Sequence, residues 1–304
     1  MDKQNCQWGC KMPQAKKGEY KMNTIWSENV QGIMTLYLSR KLRFDDMFFR
    51  QYKDIFDIDP DKKLKILEIG CGPGALAEAL HRWYPNADII VIDRDTKFIE
   101  FAGRTVKGVT FMEGDATNLP FDDETFDITI SNTVQEHIEP SAFWGEQRRV
   151  LKPGGKCICL SARKGIRCTA ECLKKTEEEE TFWKAQPGFE EELERFRVCR
   201  YPMTEAEIPA SMEKYGFVNV STGYAVINLT PDNPGNAGQL GEAMIEADRQ
   251  CALEGIYNAH SVGSEKVIDA INKKYDERLK LYRNGIAQWD TSVSVTMIIS
   301  GYRK

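Results

Sequence analysis

The chain has 304 residues, with 46 acids against 41 bases and a formal net charge of −5. A composition 41% hydrophobic and 29% charged is that of a globular protein with a sizeable core, not of a disordered or fibrous chain. No run approaches the roughly eighteen apolar residues of a membrane span, and bases occur only in short patches such as Arg163-Lys164 and Lys273-Lys274, which disfavours membrane and nucleic-acid partners.

Residues 1–18 are polar and carry Gly, Pro and Lys, the mark of a flexible tail. An apolar signal core is missing after Met1, so a cytoplasmic location is expected. The 9 cysteines then read as reduced. Cys6-x-x-x-Cys10 and Cys168-x-x-x-Cys172 are each one residue longer than the usual zinc knuckle, so no metal is expected. Residues 19–60 form an N-terminal helical cap. Trp26, Val30, Ile33, Met34, Tyr37 and Leu38 recur at helical spacing, and Phe44, Met47, Phe48, Tyr52 and Ile55 continue the pattern. Tyr20 and Trp26 are read as packing aromatics, with enclosure of a ligand as the second reading.

Lys65-Ile66-Leu67 reads as a strand that ends in Glu68 and runs into Gly70-Cys71-Gly72-Pro73-Gly74. Glycines at alternate positions suit a sharp strand-to-helix turn where backbone approaches a ligand. Gly70-x-Gly72-x-x-Ala75 also satisfies a loose dinucleotide fingerprint. Glu68, placed before the glycines, argues against a pyrophosphate and for a positively charged ligand. A second buried strand, Asp88–Asp93, ends in a carboxylate about twenty residues beyond the glycines, where it can accept from ribose hydroxyls. Val109–Glu113 is the third strand, followed by Gly114-Asp115-Ala116. Phe126–Ser131 is the fourth and runs into Asn132 and Thr133. Leu151-Lys152-Pro153-Gly154-Gly155 then launches a fifth, Lys156–Leu160, in which Cys157 and Cys159 fill small core volumes.

Over roughly residues 62–162 the chain resembles the class I S-adenosylmethionine-dependent methyltransferases. The resemblance rests on Glu68-x-Gly70-x-Gly72-x-Gly74, Asp93, Gly114-Asp115-Ala116 with Leu119-Pro120-Phe121, Phe126-Asp127 and Leu151–Gly155, in that order. It implies an α/β fold with a doubly wound, mostly parallel seven-stranded sheet, an antiparallel last strand and helical additions. S-adenosyl-L-methionine is the implied cofactor. Gly70, Cys71, Gly72 and Gly74 would line its methionine and ribose portion, and Glu68 would orient the loop or face the cationic cofactor. Asp93 would take the ribose hydroxyls, with Arg94 flanking the adenine. Asp115 and Ala116 would meet the adenine edge, and Asn132 and Thr133 would offer backbone contacts. A Glu-x-x-Glu-His cation set found in some quinone-pathway relatives is incomplete here, because Thr133 stands at its first position.

The methyltransferase domain spans residues 61–304, with helical insertions at about 163–203 and 230–290. In the first insertion the run Glu177–Glu180 reads as a solvated helix face, and Phe182, Trp183, Phe189 and Phe196 are placed to reach an acceptor pocket. Thr204 and Glu207 form a capping box for a helix ended by Gly216. Phe217–Val220 starts strand six, helices follow over about 238–254 and 264–285, and Thr291–Ile299 is the last strand. The insertion of about sixty residues before it is long enough to be a lid or an oligomer contact.

A sulfonium methyl is already activated, so transfer needs chiefly alignment and exclusion of water. His137, past strand four, is the candidate base because imidazole titrates near neutral pH. His81 is expected on the solvent side of its helix, and His260 carries a weaker signal. The leading expectation is methyl transfer to a small-molecule acceptor in a closed pocket. Methylation of RNA or protein and a cofactor-binding module without transfer are the alternatives, and the sequence leaves the oligomeric state undetermined.

Overall fold

The computed structural model describes residues 26–163, 171–185, 198–233, 238–258, 264–288 and 293–304. The expected tail, Tyr20, Cys6, Cys10, Cys168, Phe189, Phe196 and His260 lie outside the described residues. The chain enters through helices α1 (Trp26–Asn29), α2 (Ile33–Arg43) and α3 (Phe49–Phe56), with a 3-10 turn at Asp46–Phe48. There follow β1 (Lys65–Ile69), α4 (Ala75–Trp83), β2 (Asp88–Asp93), α5 (Thr96–Thr105), β3 (Thr110–Glu113) and β4 (Phe126–Asn132). A 3-10 turn at Gln135–His137 leads to α6 (Pro140–Val150) and β5 (Leu151–Arg163). The rest comprises α7 (Glu177–Lys184), α8 (Glu207–Lys214), β6 (Phe217–Asn228), α9 (Gln239–Asn258), α10 (Glu265–Arg283) and β7 (Val293–Arg303).

The strands form one 7-stranded sheet in the order β3-β2-β1-β4-β5-β7-β6. β1 pairs in parallel with β2 on one side and β4 on the other, so the winding reverses between β1 and β4. In a sheet wound this way, ligands bind outside the strand carboxyl ends at that reversal. β7 lies antiparallel between β5 and β6, as expected.

Side-chain alternation divides the core into two layers. Ile66, Ile158, Leu160 and Ile298 pack with Phe44, Tyr52, Phe56 and Leu80 on one face. Leu67, Cys157, Cys159, Met297 and Ile299 pack with Phe143, Trp144, Ile208 and Met212 on the other. The two cysteines fill small core volumes, as read from the sequence. A third cluster joins α9 to α10 through Ile245, Ile256, Val267, Ile271 and Tyr282. None of the helices among the described residues is long and apolar enough to cross a membrane.

Several local expectations are corrected. β5 begins at Leu151 instead of after Gly155, because Phe126 pairs with Leu151 and Ile128 with Lys156, which leaves the Pro-Gly-Gly segment as a bulge in the ladder. β6 runs on to Asn228 and β7 to Arg303, each lengthened by its antiparallel partner. The Thr204–Glu207 reciprocal bonds form (Thr204 N–H to Glu207 Oε2 2.8 Å, Glu207 N–H to Thr204 Oγ1 3.3 Å), but the regular helix starts at Glu207. Within the acid run, Glu179 is buried, capping α7 at the Thr176 amide and pairing with Lys274 at 2.7 Å. Phe182 and Trp183 pack against the α9–α10 cluster. His81 is half-buried, with its ring against Gly108 and its Nδ1 buried without a hydrogen bond.

Trp144 is fully buried and donates from Nε1 to Ser211 Oγ at 2.9 Å, tying α6 to α8. Trp144→Ala is expected to lower unfolding free energy in urea by about 3–5 kcal/mol, and Trp144→Phe by less. A loss under about 1 kcal/mol would show that this layer does not depend on the indole.

Candidate functional site at the carboxyl ends of the strands

The turn after β1 is closed by its own backbone. Gly70 and Cys71 N–H groups both donate to the Ile92 carbonyl (2.8 and 3.2 Å), and Gly74 N–H donates to the Cys71 carbonyl at 3.1 Å. Gly70, Gly72 and Gly74 all take positive φ. A Cβ at Gly74 would stand 2.9 Å from that of Ala102, so close packing of α4 on α5 forbids a side chain there. A Cβ at Gly72 would meet nothing within 4 Å, so that stretch of backbone faces open space where a ligand can approach. Cys71 itself points into the core, and burial pushes its thiol pKa well up.

Asp93 at the end of β2 joins the turn to the next helix. Its Oδ2 accepts from Gly72 N–H at 2.8 Å and its Oδ1 from Asp95 N–H at 2.9 Å. Each oxygen keeps acceptor capacity for a further donor. Burial raises this carboxyl to about 6, against the two backbone bonds that favour the charged form. Glu68 lies beside it on β1, 1% exposed, with Oε2 buried and unpartnered. Burial first and the Asp93 carboxylate second push its pKa well above the ordinary value. Two carboxyl groups held together out of water favour a positive charge between or above them.

Gly114 N–H donates to the Asp93 carbonyl at 2.9 Å, which sets the β3 end beside β2. Asp115 is exposed, and its Oδ1 accepts from the Thr117 amide and hydroxyl, both at 2.8 Å. This turn leaves Oδ2 available, with the half-buried Ala116 next to it. At the β4 end, Thr133 is tied both to the sheet edge and to α2. Its N–H donates to the Leu160 carbonyl at 2.8 Å, so that amide is committed to the sheet edge. Its φ is 54°, and its hydroxyl accepts from Arg40 Nη2 at 2.8 Å. Asn132 ends β4 half-buried beside it.

His137 is not placed as a free base. Its Nδ1 accepts from Cys199 N–H at 3.0 Å, so in the neutral ring the proton sits on Nε2. Burial lowers its pKa, with Arg94 and Arg40 adding to the effect against Glu136. The neighbouring Tyr201 N–H donates to the Glu136 carbonyl at 2.9 Å, so the end of the first insertion is stitched to this turn.

The helical cap closes from above. Trp26 meets the His137 ring edge-on at 4.7 Å, and the Arg94 guanidinium lies 5.6 Å from its ring centre. Trp26 thus reaches from Arg94, just after β2, to His137 in the turn after β4. Ser27 donates to the Asp95 carboxylate from its N–H (2.7 Å) and its hydroxyl (3.2 Å). Asp95 also caps α5 through the Lys97 and Phe98 amides. Sequence reasoning missed Asp95, Ser27, Cys199 and Arg40. The Asp95-Thr96 helix start was a legible capping signal, whereas the other three depend on tertiary placement. Two surface grooves, one lined by Ile33 and Arg104 and the other by Lys53, Asp127 and Lys156, lie away from this crevice.

Residues 67–159 match the family described as "Methyltransferase domain". The chain is 28% identical over 176 residues to the fatty-acid O-methyltransferase of Mycolicibacterium smegmatis, covering 47% of this chain and 63% of that protein. It is 35% identical over 107 residues to the demethylmenaquinone methyltransferase of Thermotoga maritima, covering 35% of this chain and 45% of that one. The chain therefore spans less than two thirds of the length of either relative. Among solved structures, phosphoethanolamine N-methyltransferase 2 of Haemonchus contortus, in complex with S-adenosyl-L-methionine, superposes with a TM-score of 0.53 at 15% identity. That superposition covers 93% of this chain and 60% of the other, and shares the fold.

An acid whose pKa is raised on folding stabilises the native state at low pH and loses that contribution as pH climbs through the folded value. The melting temperature of the wild type relative to Asp93→Asn is therefore expected to fall as pH rises from 4 through about 6. A difference independent of pH would show that Asp93 is not held out of water.

Proposed function

We propose that this chain, a class I S-adenosylmethionine-dependent methyltransferase by the domain in residues 67–159 and by its sheet order, moves a methyl group from S-adenosyl-L-methionine to a small-molecule acceptor. The observation that carries the reading is the Asp93 carboxylate, fixed by the Gly72 amide and standing beside the unpartnered oxygen of Glu68. Such a pair suits a ligand that combines vicinal hydroxyls with a positive charge. Asp93 would accept from the ribose, the open face of Gly72 would lie along the chain that joins ribose to methionine, and Asp115 with Ala116 would meet the adenine. Glu68 would lie beneath the cationic end.

When bound, the cofactor supplies a methyl carbon on a sulfonium, and transfer breaks the C–S bond as the acceptor bonds to that carbon, the electron pair remaining on sulfur. The protein's part is to hold the donor, orient the acceptor and exclude water, an alignment worth up to about 7–11 kcal/mol. Trp26, laid between Arg94 and His137, would keep bulk water from the reacting atoms. A cap of this kind suits a small acceptor, as do the fatty-acid and demethylmenaquinone enzymes among the relatives. A cytoplasmic location belongs to this reading, supported by the six free cysteines among the described residues.

Calorimetry with S-adenosylhomocysteine tests it. The wild type is expected to bind, and Asp93→Ala to bind about tenfold to a hundredfold more weakly, the scale of a lost hydrogen bond to a charged group. No heat with the wild type would end the reading, and so would an Asp93→Ala variant that binds equally well. Transfer of a labelled methyl group to members of a small-molecule panel then separates an enzyme from a binding module.

Because Nδ1 of His137 is already an acceptor and the ring stays neutral, His137→Gln, which can still accept from Cys199 N–H, is expected to keep its rate within about threefold. Its pH–rate profile should match that of the wild type between pH 6.5 and 8.5. A collapse of rate together with loss of a pH inflection would make His137 the base instead.

A further inference from the structure

Glu68 sits where a carboxylate cannot stay charged on its own. It is 1% exposed, and its Oε2 is buried without a hydrogen-bond partner. Its register partners in the sheet are Val91 of β2 and Ile130 of β4, both apolar and buried. The charged group that acts on it is a second carboxylate, Asp93 at the end of β2, and among the described residues no cation faces it.

Asp93 is better supplied. The Gly72 and Asp95 amides donate to its two oxygens at 2.8 and 2.9 Å, and the Arg94 guanidinium adds a favourable charge. Burial and the Asp95 carboxylate act the other way, and this carboxyl titrates at about 6. Cys71 faces both acids, and burial keeps its thiol neutral. A carboxylate taken out of water without a partner takes up a proton instead of staying charged. Two acids held side by side lose their protons one at a time. Above about pH 6 the backbone donors therefore assign the charge to Asp93 and leave the proton on Glu68.

We propose that Glu68 is a neutral acid before the cofactor binds and gives up its proton when the cofactor's positive charge enters beside it, so that cofactor uptake and proton release are one event. The Gly72 backbone bonded to Asp93 faces open space, since a Cβ there would meet nothing within 4 Å, and this leaves room for the cation to approach. The O–H bond of Glu68 breaks, its electron pair stays on the carboxylate oxygen, and the proton passes to the buffer. The carboxylate so formed meets the cation out of water, where their attraction is stronger than in solution. Glu68 thereby matches its own charge to that of the ligand: neutral without a cation, negative with one. The proposal rests on the methyltransferase reading.

The test titrates the full chain with S-adenosyl-L-methionine near pH 7 in buffers of different ionisation heat, so that the slope of observed heat against buffer heat counts protons. The wild type is expected to release about one proton more than Glu68→Gln, which copies the shape of the neutral acid. Wild-type affinity should also gain up to about tenfold per pH unit over that of the variant. Equal proton counts in the two proteins, or a wild-type count near zero, overturn the proposal. A second measurement needs no cofactor. An acid held neutral by the fold contributes its full stability below its unfolded pKa and loses it as pH rises. The melting temperature of the ligand-free wild type relative to Glu68→Gln is therefore expected to fall between about pH 5 and 7. A difference that stays constant shows that Glu68 is already ionised, and overturns the proposal. A wild type that shows this fall but takes up no S-adenosyl-L-methionine places the failure in the methyltransferase reading.

Discussion

The hydrogen bond from the Gly72 amide to the Asp93 carboxylate is the contact on which the site depends. It joins the turn after β1 to the end of β2, across the gap that the proposed cofactor would enter. The same carboxylate receives the Asp95 amide, so one side chain sets the loop, the strand end and the start of α5. Bonds from backbone N–H groups favour the charged form, while burial opposes it. Further donors from a ribose would add to the favourable side.

Charge is sorted across the crevice. Glu68 and Asp93 place carboxyl groups at the ends of β1 and β2, and Arg40 with Arg43 places guanidiniums over β4 and beyond. Electrostatic complementarity across such a cleft contributes to specificity and orientation more than to raw affinity.

Much of this was legible in the chain. The individual strands, the glycine turn and the carboxylate of Asp93 follow from local patterns: an apolar run, a turn that tolerates positive φ, an acid at a fixed distance, whereas the winding of the sheet and its antiparallel last strand came from the family resemblance. The alternation of Cys157 and Cys159 with Ile158 and Leu160 predicted their burial for the same reason. What escaped was whatever depends on two distant segments meeting. Arg40 looks like an ordinary polar position of an amphipathic helix until Thr133 is set beneath it. Cys199 shows no sign of lying on His137, and Glu179 sits in an acid run that reads as solvated until Lys274 arrives from α10. The bulge at Pro153–Gly155 was hidden because a Pro-Gly-Gly sequence signals a turn, and only the partner strand shows that the ladder continues through it.

The double use of Asp95 separates two events that would otherwise be joined. Its carboxylate caps α5 through the Lys97 and Phe98 amides as well as accepting both Ser27 bonds, so losing the Ser27 bonds would leave the helix cap in place. Among the contacts that hold this segment are the pair of Ser27 bonds, the Lys97–Glu28 ion pair and the Trp26 ring against His137 and Arg94. The start of α5 therefore does not depend on the contact that the cap makes with it.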